Sequence, residues 1–306
     1  GAVLVGLVFV FGSYLFHAYH VVTFPYDIDY GEGLFLNWVQ LIAGGNWGYG
    51  SIHEEPYLVG FYPPLYPWIV SFPVQWCGPS LAWGRWLSVL SALGTGVAIF
   101  AIVRRISGRL FPAAVGGLLF FLPMHVYFWT VLHRVDSLAL FFTMLGLYLS
   151  MSGRRVAWCA LPFALALLTR QTTIFAPMSV VAWLVCQKQW RRAFLLGLVS
   201  FGIPGTIYLI LHAITDGQFL QHTFTYHTDQ AFRWGIVLFF AAQFVEHVPI
   251  VVGVGLFMLM RRFMKWQCDL PAIYLVSTAA HFYLSGKVGS AWNYMLEPIA
   301  ALCIMV

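Results

Sequence analysis

Residues 2–33 read AVLVGLVFVFGSYLFHAYHVVTFPYDIDYGEG, an apolar run to residue 22 followed by a turn carrying Asp27, Asp29 and Glu32. An apolar helix of about 20 residues is long enough to cross a bilayer. Carboxylates held beside lipid are costly unless they face a partner, a cavity or water. The run is too long for a signal-peptide core and lacks a small-residue cleavage end, so it reads as a retained first span. The acidic turn at 25–33 is the strongest pointer to function in the chain.

The rest of the sequence agrees with that first span. The 306 residues are 60% hydrophobic and 18% aromatic but only 9% charged, against roughly a quarter charged in soluble domains. The expected fold class is an all-α polytopic membrane protein, multi-pass and integral to the membrane. The formal charge of +5 comes from short basic clusters between apolar runs, which suits membrane orientation and excludes a nucleic-acid groove. The five cysteines (Cys77, Cys159, Cys186, Cys268 and Cys303) show no CxxC spacing, so neither a disulfide framework nor a zinc site is expected. The sequence starts at Gly1 and stops within an apolar run, and one or both natural ends are expected to lie beyond it.

Further apolar stretches lie at 83–103, 110–131, 136–152, 156–169, 173–187, 193–213, 234–260, 270–285 and 291–306, giving about ten spans in all. With the N-terminus cytoplasmic, the clusters Arg104/Arg105/Arg109, Arg154/Arg155, Lys188/Arg191/Arg192 and Arg261/Arg262/Lys265 share the inner side, as the positive-inside rule requires. The outer side receives nearly all the acid, with the isolated bases Arg85, Arg134, Arg170, Arg233 and Lys287. Clustered bases have a topological role; isolated ones need another explanation. The chain is expected to form one transmembrane domain, 1–306, with 23–82 as a long first outer loop. Within that loop, 34–43 reads as an amphipathic interfacial helix stopped by Gly44-Gly45. The prolines of Gly60-Phe61-Tyr62-Pro63-Pro64-Leu65-Tyr66-Pro67-Trp68 then set a sharp entry into a second apolar helix. Taken alone, these aromatic residues equally suit plain anchoring at the headgroups.

The order of these elements resembles the GT-C glycosyltransferases. The resemblance rests on the acidic motif after the first span, the interfacial helix ending in Gly and the Tyr-Pro-Pro-Leu-Tyr-Pro element. It continues through Gly84-Arg85-Trp86-Leu87-Ser88, His133-Arg134-Val135-Asp136, Leu168-Thr169-Arg170-Gln171-Thr172 and Asn293-Tyr294-Met295-Leu296-Glu297. The branch it is most similar to contains the protein mannosyltransferases and the lipid A aminoarabinose transferase. The resemblance implies an inverting enzyme that moves a sugar from a polyprenyl-phosphate donor to an acceptor on the outer, periplasmic face of the bacterial inner membrane. It places the general base in the acidic motif, at Asp29, with Glu32 and Asp27 as the other candidates. Two departures stand out: relatives carry a base directly before the Pro-Pro pair where this chain has Tyr62, and their contiguous Asp-Glu is split here across Asp29 and Glu32.

A departing phosphate needs cations. Arg170, flanked by Thr169, Gln171 and Thr172, offers guanidinium donors, and Lys287 and Arg134 are further candidates for the donor phosphate. A snorkelling helix-end role for Arg170 is the alternative. Tyr62, Asp136, Asn293 and Glu297 are the expected substrate-binding residues. Arg134 and Asp136 alternatively pair with each other or with the acidic loop, and Asn293 and Glu297 alternatively satisfy irregular backbone beside Pro298. No cofactor is implied, and the histidine spacing indicates no divalent metal. Expected partners are the lipid-linked donor, membrane lipids and, in a larger complex, protein subunits. Two rival functions stand beside the transferase: a non-catalytic subunit on the same scaffold, and a lipid or solute transporter. A transporter of this kind would show inverted repeats, and no internal repeat is evident.

Overall fold

The computed structural model describes residues 1–153, 155–265 and 269–305. Arg154 of the inner basic clusters, Cys268 and the last residue of the expected tenth span lie outside the described residues. The described chain is helical, with no strand beyond one isolated antiparallel bridge between Phe232 and Lys287.

Among the described residues, three helices are long and apolar enough to cross a membrane alone: α1 (Ala2–Thr23), α4 (Leu81–Ser107) and α10 (Trp190–Ile214). Between α1 and α4 lie α2 (Tyr30–Ala43) and α3 (Leu65–Cys77), which pack on each other outside the bundle. The expected interfacial helix is therefore present, ending at Gly44, but it starts one turn early because Asp29 caps it. The expected span at 110–131 is broken into α5 (Leu110–Leu119) and α6 (Met124–Trp129). Pro123 explains the break, since a proline cannot supply the amide that a continuous helix needs.

The shorter helices α7 (Asp136–Met151), α8 (Val156–Thr169) and α9 (Phe175–Cys186) follow, with the 3-10 turn Gln171–Ile174 leading into α9. After α10 the chain makes short turns, α11 (Gln218–Leu220) and α12 (Tyr226–Thr228), around a π turn at Gln221–Thr225. The expected straight span at 234–260 is instead two helices, α13 (Trp234–His247) and α14 (Pro249–Met264), bent by 97°. The bend falls at Val248 because the proline ring at 249 disfavours a helical residue before it. Then come α15 (Leu270–Thr278), α16 (Ala280–Leu284), the 3-10 turn Trp292–Met295 and α17 (Leu296–Met305).

Every residue of α17 is buried, and the helix packs on α4, α5, α7, α14 and α15. The outer flanks of α1, α10 and α14 expose Phe9, Phe16, Phe194, Leu209, Ile250 and Phe257, an apolar skin suited to lipid rather than water. At the inner end, Arg105 donates to the Met151 carbonyl at the close of α7, so two of the basic connections share one end of the bundle. Irregular backbone is tolerated at membrane depth only where protein or a cavity covers it. The 3-10 turns at 171–174 and 292–295 meet that condition at the opposite end, where the polar residues gather.

Candidate functional site

Asp29 caps α2 by accepting from the Gly31 amide at 3.1 Å, which puts Glu32 in the first helical turn. Glu32 is completely buried and faces Arg85, one turn into α4 and equally buried. Arg85 Nε donates to Glu32 Oε1 at 2.8 Å and Nη2 to Oε2 at 2.7 Å, a bidentate pair. Its remaining donors reach the carbonyls of Val21, Phe24 and Tyr26. The Glu32 oxygens also accept the amides of Ile28 and His133, each at 2.8 Å. Burial alone would raise the Glu32 carboxyl, but the Arg85 hydrogen bond and the two amides hold it below its ordinary value. Expected as an alternative base, Glu32 has no oxygen free for a substrate; it is the clamp that folds the loop between α1 and α2.

Two further outer carboxylates are each paired with one of the isolated bases. Arg134 Nη1 donates to Asp29 Oδ2 at 2.9 Å, and its guanidinium lies over Trp129 and Phe35. Arg170 Nη1 donates to Asp136 Oδ1 at 2.7 Å and lies 4.8 Å over the Tyr294 ring. Asn293 Nδ2 donates to the same Asp136 oxygen at 2.9 Å. A Cβ added at Gly31 would stand 1.5 Å from Arg134 Nη1. The glycine thus provides room for the ion pair within the first turn of α2.

Arg134 and Asn293 line a cavity of about 290 Å³, together with Tyr30, Gly31, Phe35, Phe61, Tyr62, His227, Gln230, Ser290 and Tyr294 among others. Asp29 adjoins it through Gly31 and Arg134. Behind that lining, which Asp136 meets through Asn293 and Arg170 through Tyr294, Arg134 Nε, Arg170 Nε, Asp136 Oδ2, Asn293 Oδ1 and Gln171 Oε1 are buried without a partner among the described residues. Buried polar atoms are almost always hydrogen-bonded, so this concentration marks a place for a polar ligand or ordered water. Tyr62 belongs to the same group: burial, then the nearby Asp136 charge, push its hydroxyl up to about 12 against the opposing pull of Arg134 and Arg170. The phenol is neutral and able to donate.

The outer wall is cross-braced. Gln171 Nε2 donates to the Phe61 and Thr223 carbonyls, and His222 ties Gly60 to Gly50. Lys287 Nζ donates to the His227 carbonyl at 2.7 Å, at the edge of the cavity. Three expected site residues fall elsewhere or differ in role. Asp27 is exposed. Glu297, on α17, accepts from Tyr274 and pairs with His281, with its charge near Arg170, whereas Asn293 lies on the 3-10 turn before that helix. Glu32 is the clamp. Arg85, left out of the expected site, had a legible signal, since an arginine one turn into an apolar helix requires a buried acid. His227 lies in the outer loop 215–234, whose sequence suits closure over an acceptor and an ordinary hydrated connection equally, and Tyr294 in the Asn293–Glu297 motif; neither residue type marks a site by itself. Among the described residues, no group of three or more His, Cys, Asp or Glu gathers as a metal site.

This arrangement of helices is the GT-C fold of integral-membrane glycosyltransferases. The chain resembles the crystal structures of ArnT from Cupriavidus metallidurans bound to undecaprenyl phosphate (TM-score 0.76, 20% identity over 97% of this chain) and in the apo state (TM-score 0.74, 18% identity over 100%). It spans 58% and 59% of the length of those chains. The sequence model of the dolichyl-phosphate-mannose-protein mannosyltransferases matches residues 62–215, and the chain belongs to that family. No curated protein matches it in sequence.

Proposed function

We propose that this protein transfers a sugar from a polyprenyl-phosphate donor to an acceptor on the outer face of the bacterial inner membrane. The observation that carries the reading is one cavity at the end of the bundle opposite the basic clusters, lined by Arg134 and Asn293, with the Asp29–Arg134 and Asp136–Arg170 pairs at or directly behind that lining. The match to ArnT, whose structure holds undecaprenyl phosphate, supports a lipid-linked donor.

Asp29 uses Oδ2 for the Gly31 amide and Arg134, leaving Oδ1 to accept the proton of the acceptor hydroxyl. The acceptor oxygen attacks the anomeric carbon as the bond from that carbon to the phosphate oxygen breaks. The electron pair leaves with the polyprenyl phosphate, and the sugar inverts. Arg134, Arg170 and Lys287 supply the compensating cations; guanidinium groups give planar donors suited to phosphate oxygens. Tyr62, standing where relatives have a base, contributes a neutral donor, and Asp136 and Asn293 hold sugar hydroxyls. The reading invokes no metal. The test is a transfer assay on the full-length protein in lipid with a panel of polyprenyl-phosphate sugars. Asp29→Asn should lower turnover by roughly a hundredfold or more, the usual worth of a general base, in a protein that still elutes as a folded species, since the amide keeps the cap of α2 and a polar partner for Arg134. Turnover that survives Asp29→Asn would favour the subunit reading.

A further inference from the structure

His227 stands on the outer wall of the cavity, far in sequence from the charged pairs that adjoin it. Its ring is 5.2 Å from Phe61 and 5.9 Å from Tyr62, centroid to centroid, and it lines the cavity directly. Nε2 lies 3.0 Å from the Phe61 carbonyl oxygen. A carbonyl can only accept, so Nε2 carries the proton and the neutral ring keeps its lone pair on Nδ1. No hydrogen bond to Nδ1 is formed among the described residues. The backbone around the ring is held as firmly as the ring itself. Lys287 Nζ takes the His227 carbonyl, Gln171 takes the same Phe61 carbonyl, and the bridge from Phe232 to Lys287 fixes the loop behind. Burial lowers the imidazole pKa against the Phe61 hydrogen bond, and the nearby Lys287 and Arg170 charges lower it further. The ring is therefore a poor base, and Nδ1 stays an acceptor.

We infer that His227 is a substrate-binding residue whose Nδ1 accepts a hydrogen bond from a carbohydrate hydroxyl, so that the outer wall orients the sugar that the arginines hold by its phosphate. The inference rests on the transferase reading and adds a residue to it. The chemistry is that of a neutral hydroxyl, whether on the donor sugar or on the acceptor. A phosphate oxygen offers no proton to a lone pair, so the anionic part of the donor belongs at the arginines.

The two nitrogens can be separated by substitution, because an asparagine amide reaches the position of Nδ1 and a glutamine amide that of Nε2. His227→Gln keeps the tie to Phe61 and removes the free acceptor; His227→Asn keeps an acceptor and removes the tie. In the full-length protein the KM for the donor and for the acceptor are measured separately. The assignment predicts that His227→Gln raises one of them by about tenfold, the loss expected for one hydrogen bond, while His227→Asn stays nearer the wild type. The KM that moves says which sugar carries the hydroxyl. The reverse order, or two variants indistinguishable from wild type, would show that His227 only anchors the loop. Wild-type protein that transfers no sugar from any donor would instead remove the transferase reading, and the assignment with it.

Discussion

At the scale of single residues, the three outer carboxylates that pair with isolated arginines have the same chemistry and different duties, set by how many of their oxygens are occupied. Both Glu32 oxygens are occupied twice, by Arg85 and by backbone amides. Removing one partner from such a buried pair leaves an uncompensated charge, at a cost of about 3–5 kcal/mol. Glu32→Gln is therefore expected to lose the fold. Its detergent-extracted protein should be aggregated or melt far below the wild type, by size-exclusion profile and thermal unfolding. A well-folded but inactive Glu32→Gln protein would return Glu32 to the catalytic role. Sequence alone could not divide these roles. Asp29 and Glu32 lie in one short acidic motif, but what distinguishes them are Arg85 and Arg134, 53 and 105 positions away along the chain. The motif was legible; its pairing was not.

At the scale of elements, hydropathy reveals most helices because lipid demands long apolar runs, and the glycine pair reveals the stop at Gly44, but not the cap at Asp29 that starts the same helix a turn early. Neither reveals the breaks. Proline marks two of them, at 123 and 249, yet Pro162 and Pro204 sit inside unbroken helices, so the residue type does not decide the outcome. Nor could the sequence show how loops brace one another across the outer face. There His222 is the main staple: Nδ1 accepts from the Gly60 amide at 2.9 Å and Nε2 donates to the Gly50 carbonyl at 2.7 Å. Both bonds need the neutral ring. Burial lowers the His222 pKa, against the Gly50 hydrogen bond. A histidine depressed in the fold is protonated more readily when unfolded, so its contribution is complete above the ordinary value of about 6.5 and is lost as pH falls through the folded value. Hydrogen-exchange protection across residues 48–62 and 218–228, taken relative to the intrinsic rate at each pH, should accordingly fall between pH 7.5 and pH 5. His227, shifted the same way, adds to the trend. His222→Gln should make it shallower, and an unaltered slope in that variant would assign the effect to other groups.

At the scale of the whole molecule, the division of charge is the fold's organising feature, and the bent pair α13–α14 is where it is most open to test. A 97° bend allows two courses for the chain: a single broken span, or a re-entrant hairpin that returns to the face it left. Asp229 precedes the pair, Arg261 and Arg262 lie in the last turn of α14, and Lys265 follows it. Clustered bases favour the cytoplasmic side, and α14 keeps its Phe257, Phe263 and Met264 side chains exposed as a lipid-facing helix would. A hairpin would strand three bases on the acidic outer face, although Arg262 does find Asp269 there to pair with. The broken span is the expected course. In a background with all five cysteines replaced, Asp229→Cys should react with an impermeant maleimide applied from outside, whereas Lys265→Cys should react only after the membrane is opened. Equal labelling of both from outside would make the pair re-entrant. It would also reverse the sides of α15 and the 3-10 turn that delivers Asn293, separating Asn293 from Asp136. The 2.9 Å bond between those two residues is thus itself an argument that α13 and α14 cross together.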